Sequence, residues 1–432
     1  MRLVHTWAAL LRKRLSPGHV ALLERVSSLA GSRGEKVVLV GGSTRDLLLG
    51  RDVDELDLAI EGDAAGLAAQ LAREFGGTPR VHGRFATARI DVAGGISADI
   101  ATARRETYPS PAALPVIAPG TIEEDLGRRD FTINTLAMRL DPACFGVLLD
   151  PFGGVRDLRR GLVRVLHDRS FSDDPTRALR AVRLAARLGF SLEGRTRGLM
   201  EQAIHEGAFD LLSGDRLRRE LDLLMDEMPL RLAAENLSRN GLLPAVADCL
   251  LLDAAAAGRL ETLDEFLSRE QNRRTGGSPV RRLLLFLAVL AWGRPEAQRT
   301  GLARRLGLSG ESLRLLMGMP GRAAALGAAI RACGGVRSGV VFALEKAAVE
   351  EVIGAVAADA AAGPHVATYL DELAGVRPLI GGEELVGLGI GPGPAYGRVL
   401  RSILAARLDG QVSTREEEMA LARRLIESGP RS

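Results

Sequence analysis

Aromatic residues are scarce in this chain: Phe, Trp and Tyr supply 4% of 432 residues, against 46% for all hydrophobic types. A core short of rings must rest on Leu, Ala and Val, which favours helices. Cysteine is equally sparse. Cys144, Cys249 and Cys333 stand far apart with no metal-ligand spacing, which argues against a zinc ribbon or a disulfide framework and fits unpaired thiols in a reducing compartment. No apolar run reaches the 18 residues of a membrane span, and the one in "MRLVHTWAALLRKRLSPGHV" is too short for a secretory signal, so a cytoplasmic protein is expected. The six histidines form no nucleophile or metal constellation, and His82 and His167 read as loop or core residues. Lysine occurs only three times, so the net charge of +3 and the pI near 9.0 rest on arginine. Runs such as "RRD", "RALRAVRLAAR", "RLRRE" and "QNRRTGG" suit bidentate phosphate contacts and tilt the reading slightly towards a nucleic-acid partner.

A chain of this length should hold two to four domains. Residues 1–34 read as a helical lead-in. "KVVLV" reads as a buried strand, with Ser43 as the N-cap of a short helix "TRDLLL" that Gly50 stops. "LDLAI", "ATARIDV" and "ISADIAT" read as further strands, and "AAGLAAQLAREFGG" as a helix ended by glycines. The result is an α/β head over 35–145, a mixed sheet with helices. Its segment "TYPSPAALPVIAPGT" (107–121) carries four prolines and is expected to form a mobile loop, neither helix nor central strand. Beyond Asp150 strand signals fade, and the remainder is expected to be all-α: a neck over 146–228, a body over 229–372 and an RNA-binding tail over 373–432. "RTGGSP", "ACGGVRSG" and "GIGPGPAYG" mark breaks between its helices. No fixed-period repeat appears.

The chemistry concentrates in "VVLVGGSTRDLLLGRDVDELDLAIEGD" (37–63). In a strand, residues two apart share a face, so Glu55 and Asp57 project together while Leu56 and Leu58 pack behind. Two such carboxylates repel unless a cation lies between them, and an oxygen-rich site suits Mg²⁺. Asp99, on "ISADIAT", is a candidate third carboxylate. A Gly41-Gly42 turn lets backbone N–H groups approach a phosphate, with the "STRD" helix start behind it. Taken singly, these are an ordinary turn and exposed edge-strand acids. Together they describe metal-assisted nucleotidyl transfer.

The ordered set "GGSTRDLLLG", "ELD", "RRDFTINTLA" (128–137), "DPFGG" (150–154) and "DDPTRALRAVRLAARLGF" (173–190) resembles the class II tRNA nucleotidyltransferases and bacterial poly(A) polymerases, whose heads have the polymerase-β-like nucleotidyltransferase fold. The likeness is clear over 36–228; further on, only "GPGPAYGRVL" and the helix after it look familiar. The resemblance implies transfer of C or A, or both, from CTP and ATP to the CCA end of tRNA. It assigns two Mg²⁺ ions, with Mn²⁺ as a substitute, to Glu55 and Asp57, and makes Asp99 the carboxylate that activates the RNA hydroxyl. Gly41, Gly42, Arg45 and Asp46 belong to its nucleotide turn, and Arg129, Asp130 and Asn134 lie near the ribose. Asp174 and Arg177 face the base, and Arg180 and Arg183, one and two turns further along the same helix, are placed for the phosphates or the base. Cytosine and adenine both offer an amino donor beside a ring-nitrogen acceptor, matched by a carboxylate and a guanidinium. Guanine and uracil reverse that order, at about 1–3 kcal/mol for each unpaired group. Arg216 and Glu220 are expected to form an ion pair steadying the neck. One departure stands out: the family's first metal carboxylate is Asp, and here it is Glu55, whose shortening to Asp is expected to be tolerated. Partial enzymes adding only A or only CC, poly(A) polymerases, a non-catalytic RNA-binding relative and a small-molecule nucleotidyltransferase stand as alternatives.

Overall fold

The computed structural model describes residues 4–82, 87–92, 94–270, 280–391 and 393–427. The expected break at "RTGGSP" and the side chain of His82 lie outside what is described. The chain divides into two compact units, Met1–Glu220 with Arg239–Ala245, and Leu221–Ser238 with Val246–Ser432.

In the first unit, helices α1 (Val4–Arg14) and α2 (Pro17–Arg33) lead into strand β1 (Lys36–Val40), which passes directly into α3 (Gly41–Leu49). There follow β2 (Glu55–Glu61), α4 (Ala64–Phe75), β3 (Thr78–His82), β4 (Thr87–Val92) and β5 (Ile96–Thr102). A hairpin of β6 (Arg104–Thr107) and β7 (Val116–Pro119) comes next, then α5 (Ile122–Gly127), β8 (Ala137–Arg139) and β9 (Leu148–Leu149). The unit continues with α6 (Gly154–Arg160), β10 (Leu162–Val163), α7 (Ser170–Asp173), α8 (Thr176–Leu188), β11 (Ser191–Leu192), α9 (Gly194–His205) and the first turns of α10 (Gly214–Glu227). Seven strands form one sheet in the order β3-β4-β5-β2-β1-β8-β9. β2 and β5 run parallel, and the other neighbours are antiparallel.

The period-2 alternation of the strands sets the site. Val37 and Leu39 of β1, Leu56, Leu58 and Ile60 of β2, Ala88 and Ile90 of β4, and Ala98 and Ile100 of β5 pack into one core with α2 and α4. The intervening residues of β2, β4 and β5 therefore share the opposite face: Glu55, Asp57, Arg89, Asp91 and Asp99. Gly41 takes φ +67, which lets the chain turn from strand to helix without a linker.

The hairpin is a finding the proline-rich segment did not announce. Residues 116–119 pair with 104–107, so the expected loop narrows to its tip. A two-stranded ribbon has no second ladder to satisfy, so Pro119 is tolerated there. The tip is docked: the Ala112 amide, at a left-handed φ of 56, donates to the Ser172 carbonyl at 3.0 Å.

The second unit is helical. Its long helix Gly310–Ala332 packs on Val349–Ala358, which also meets Ala254–Glu270. Buried Glu350 accepts a forked pair of bonds from Arg281. Towards the C-terminus Ile380, Leu385, Val399, Ile403 and Ala422 form a separate small core. There buried Glu418 accepts from the Leu379 and Ile380 amides and from Arg407.

Candidate active site

A cavity of about 620 Å³ in the first unit is lined by the Gly41-Gly42 turn, by Arg45, Arg129, Asp130 and Asn134, and by Asp174, Arg177 and Arg180. Motifs separated by more than 130 residues thus meet on one space. Behind the turn lies Asp57: Cβ atoms built on Gly41 and Gly42 would come within 3.9 and 3.7 Å of its Oδ2.

The nucleotide-turn residues form one hydrogen-bonded chain. Arg45, buried at 3% exposure, forks onto Asp46 at 2.9 and 2.7 Å and donates to Asn134 Oδ1 at 2.7 Å. Asn134 Nδ2 donates to Asp130 Oδ1 at 2.9 Å, and Asp130 Oδ2 meets Arg180 Nη2 at 2.8 Å. Burial alone would raise the Asp130 carboxyl, but Arg180, Asn134 and Arg177 outweigh it and hold the group below the ordinary range. These side chains are therefore fixed before any ligand arrives. Arg129 lies against the turn, 2.7 Å from where a Gly41 Cβ would stand, and its buried Nε has no partner among the described residues.

On the base side, Asp174 Oδ1 accepts from the Thr176 amide, from Thr176 Oγ1 and from Arg216 Nη2 at 2.7 Å. Arg177 is buried, giving Nη1 to Ser170 Oγ at 2.8 Å and Nη2 to the Arg128 carbonyl at 3.0 Å, with the Tyr108 ring 6.0 Å from its Cζ. Nη2 also reaches the Tyr108 hydroxyl at 3.5 Å, and since a guanidinium has five N–H donors these three bonds leave others for the cavity.

Arg183, on the same helix, lies 3.7 Å from Glu220, while Arg187, a turn further on, lines the cavity. Two expectations need correction here. Arg216 does not pair with Glu220. It joins Asp174 to the Ala112 carbonyl, at 2.7 Å each, and so ties the hairpin tip to the base-facing carboxylate. The second correction concerns Ser43. Because α3 starts at Gly41, Ser43 lies inside the helix, and its Oγ accepts from the Asp57 amide at 2.9 Å and lies 3.2 Å from Asp57 Oδ2.

The carboxylates sit as the strand register dictates. Asp57 and Asp99 are direct partners across β2 and β5, with Glu55 two residues along. Among the described residues no group of three or more His, Cys, Asp or Glu has ion-holding geometry. Arg89 lies 2.5 Å from Glu55 and 3.2 Å from Asp99. Burial, then the Asp99 and Glu55 charges, push the Asp57 carboxyl above the ordinary range against the pull of Ser43 and Arg129. Burial likewise raises Asp99, opposed by Arg89. A divalent cation would relieve that strain, and oxygen-only donors suit Mg²⁺, so Glu55 and Asp57 fit the role of ligands.

Sequence reasoning passed over Asp125. Buried at 1% exposure, it accepts from Arg128 at 2.7 Å and Arg129 at 3.0 Å and so aims the latter at the turn. Its signal was the capping box of Thr121 and Glu124, which fixes the start of α5.

Residues 37–164 match the poly A polymerase head domain. The chain is 34% identical over 433 residues to the A-adding tRNA nucleotidyltransferase of Geobacter sulfurreducens, covering 97% of this chain and 48% of that protein. It is 34% identical over 425 residues to the CC-adding tRNA nucleotidyltransferase of Deinococcus radiodurans, covering 97% of both. A solved CCA-adding enzyme in its apo form II superposes with a TM-score of 0.80 at 30% identity, over 97% of this chain and 98% of that one. The chain spans about half the length of the first curated relatives it matches and nearly all of the Deinococcus one. With head motifs and helical remainder both matched, the chain belongs to the tRNA nucleotidyltransferase and poly(A) polymerase family.

Proposed function

We propose that this chain is a template-independent RNA 3′-nucleotidyltransferase that adds C, A or both from CTP and ATP to the CCA end of tRNA in the cytoplasm. One observation carries the reading: a single cavity is lined both by the glycine turn in front of Asp57 and by Asp174 and Arg177. No described helix is long and apolar enough to cross a membrane.

In this reading the RNA 3′-hydroxyl oxygen bonds to the α-phosphorus, the bond to the β-phosphate oxygen breaks, and pyrophosphate leaves. Asp99 takes the hydroxyl proton. Family membership implies divalent metal; we assign two Mg²⁺ ions, or Mn²⁺ in their place, to Glu55 and Asp57, which would hold them where they would neutralise phosphate charge. The Gly41-Gly42 turn and Arg129, with its unmet Nε, hold the triphosphate. Asp174 accepts from the amino group of cytosine or adenine, and Arg177 donates to the ring nitrogen. Asp130 and Asn134, locked by Arg45 and Arg180, face the ribose. The head over 35–145 performs the transfer and the neck over 146–228 reads the base. The body and tail grip the RNA by phosphate and shape.

The test is incubation of purified protein with tRNA ending before CCA and with tRNA ending in CC, given CTP alone, ATP alone or both. Extension by one to three nucleotides supports the reading, and the pattern separates full from partial enzymes. RNA retention in a gel shift with no extension on any tRNA end would favour a non-catalytic binder.

A further inference from the structure

The family's Asp is replaced here by Glu55, and its surroundings give a reason. β4 contributes Arg89 to the open sheet face, in direct register with Asp99, which is itself in register with Asp57. The Arg89 fork spans the group: Nη2 reaches Glu55 Oε1 at 2.5 Å, Nη1 reaches Asp99 Oδ2 at 3.2 Å, and Nε reaches Asp91 Oδ1 at 3.4 Å. One guanidinium thus touches three carboxylates, two of which belong to the proposed transfer site. A side chain one methylene shorter at position 55 would retract by about 1.5 Å and lose the contact with Arg89.

We propose that Arg89 is a positioning residue to which Glu55 is fitted, its guanidinium holding Glu55 and Asp99 in place and tempering the affinity of the carboxylates for a divalent ion. This rests on the carboxylate-and-cation reading given above. It separates two properties of one side chain. The positive charge opposes cation binding, and the planar fork sets where two carboxylates point. It also reverses the expectation that Glu55→Asp is harmless, because aspartate at this position would leave Arg89 holding only its other partners.

The experiment is Mn²⁺ titration of the full chain, read by electron paramagnetic resonance without nucleotide, alongside kcat for nucleotide addition at saturating Mg²⁺. Arg89→Gln should bind Mn²⁺ about fivefold tighter, since a unit charge touching the carboxylates is removed from a partly exposed site. Its kcat should fall at least about tenfold. Arg89→Lys should return Mn²⁺ affinity to within about twofold of the parent and yet keep a low kcat, because an ammonium cannot fork. Glu55→Asp should lower kcat in the parent and cost little more in the Arg89→Gln background, since both changes break one contact. Equal or weaker Mn²⁺ binding by Arg89→Gln, full kcat in Arg89→Lys, or additive losses in the double variant would each overturn the proposal. Failure of the parent protein itself to bind Mn²⁺ and add nucleotides would instead overturn the reading on which it rests.

Discussion

Arg177→Ala probes whether one buried guanidinium both builds the cavity wall and reads the base. The substitution strips the partners of Ser170 Oγ and the Arg128 carbonyl, held at 2.8 and 3.0 Å, in a region where Ser170 is fully buried. Two stranded polar groups at about 1–3 kcal/mol each put the loss of stability at roughly 2–6 kcal/mol. In a unit of this size each kcal/mol moves the midpoint by about 2–4 °C. Removal of one of two base-reading groups should lower discrimination of CTP and ATP from UTP and GTP by roughly five- to 150-fold. Arg177→Lys is the control. It retains the charge and part of the packing but cannot present a fork, so it should recover stability more than selectivity. The assays are thermal unfolding and kcat/KM for each nucleotide on one tRNA at a temperature where the variants are folded. A folded Arg177→Ala protein with unchanged selectivity and weakened tRNA binding would refute the reasoning and move Arg177 to the RNA surface.

Asp57→Asn should abolish nucleotide addition while raising the unfolding midpoint at neutral pH. The Asp57 carboxyl is raised in the fold by burial and by its acidic neighbours. Its charged form therefore penalises the folded state, a penalty that is absent where the group is protonated, grows as pH rises through the ordinary carboxylate range, and is complete above the raised folded value. The stabilisation by asparagine should accordingly vanish at acidic pH, and a midpoint difference that grows on acidification would contradict the assignment. Gly41→Ala should raise KM for CTP and ATP alike, because alanine disfavours the left-handed φ of +67 by about 1–2 kcal/mol and its Cβ would displace Arg129 from 2.7 Å. A change for one nucleotide alone would detach the turn from the shared triphosphate. Deletion of Ser110 to Pro115 removes the Ala112 link to Arg216 and the cavity-lining Leu114 and Pro115. Addition of C should survive while addition of A falls sharply; intact A addition to tRNA ending in CC would show the hairpin tip to be a passive surface element.

The strands were legible because their alternation is strict: Leu56, Leu58 and Ile60 pack behind Glu55 and Asp57 as period two requires. The glycine turn was legible as a phosphate approach, but the helix start was misread. Positive φ at Gly41 begins α3 three residues before Thr44, which converts Ser43 from a cap into a brace for Asp57. Strand β3 escaped notice because "TPRVH" is short and holds a proline, which an edge strand tolerates. The hairpin escaped for a similar reason: four prolines argue against any sheet interior but not against a two-stranded ribbon. The role of Arg89 and the true partners of Arg216 were invisible for another reason. Each arginine acts through partners brought to it by the fold, as when Arg216 meets Ala112 across 104 residues. Nothing in the local sequence distinguishes such an arginine from a solvated one.

The central claim is that one cavity selects the base and its neighbouring carboxylates transfer the nucleotide. The most direct measurement is single-turnover incorporation of CTP, ATP, UTP and GTP, each alone, onto tRNA ending before CCA and onto tRNA ending in CC, with Mg²⁺ and with chelator. The account predicts incorporation of C or A on at least one of the two ends, rejection of U and G on both, and no product with chelator. Incorporation of G or U at rates matching C and A, or transfer that survives chelation, would contradict it.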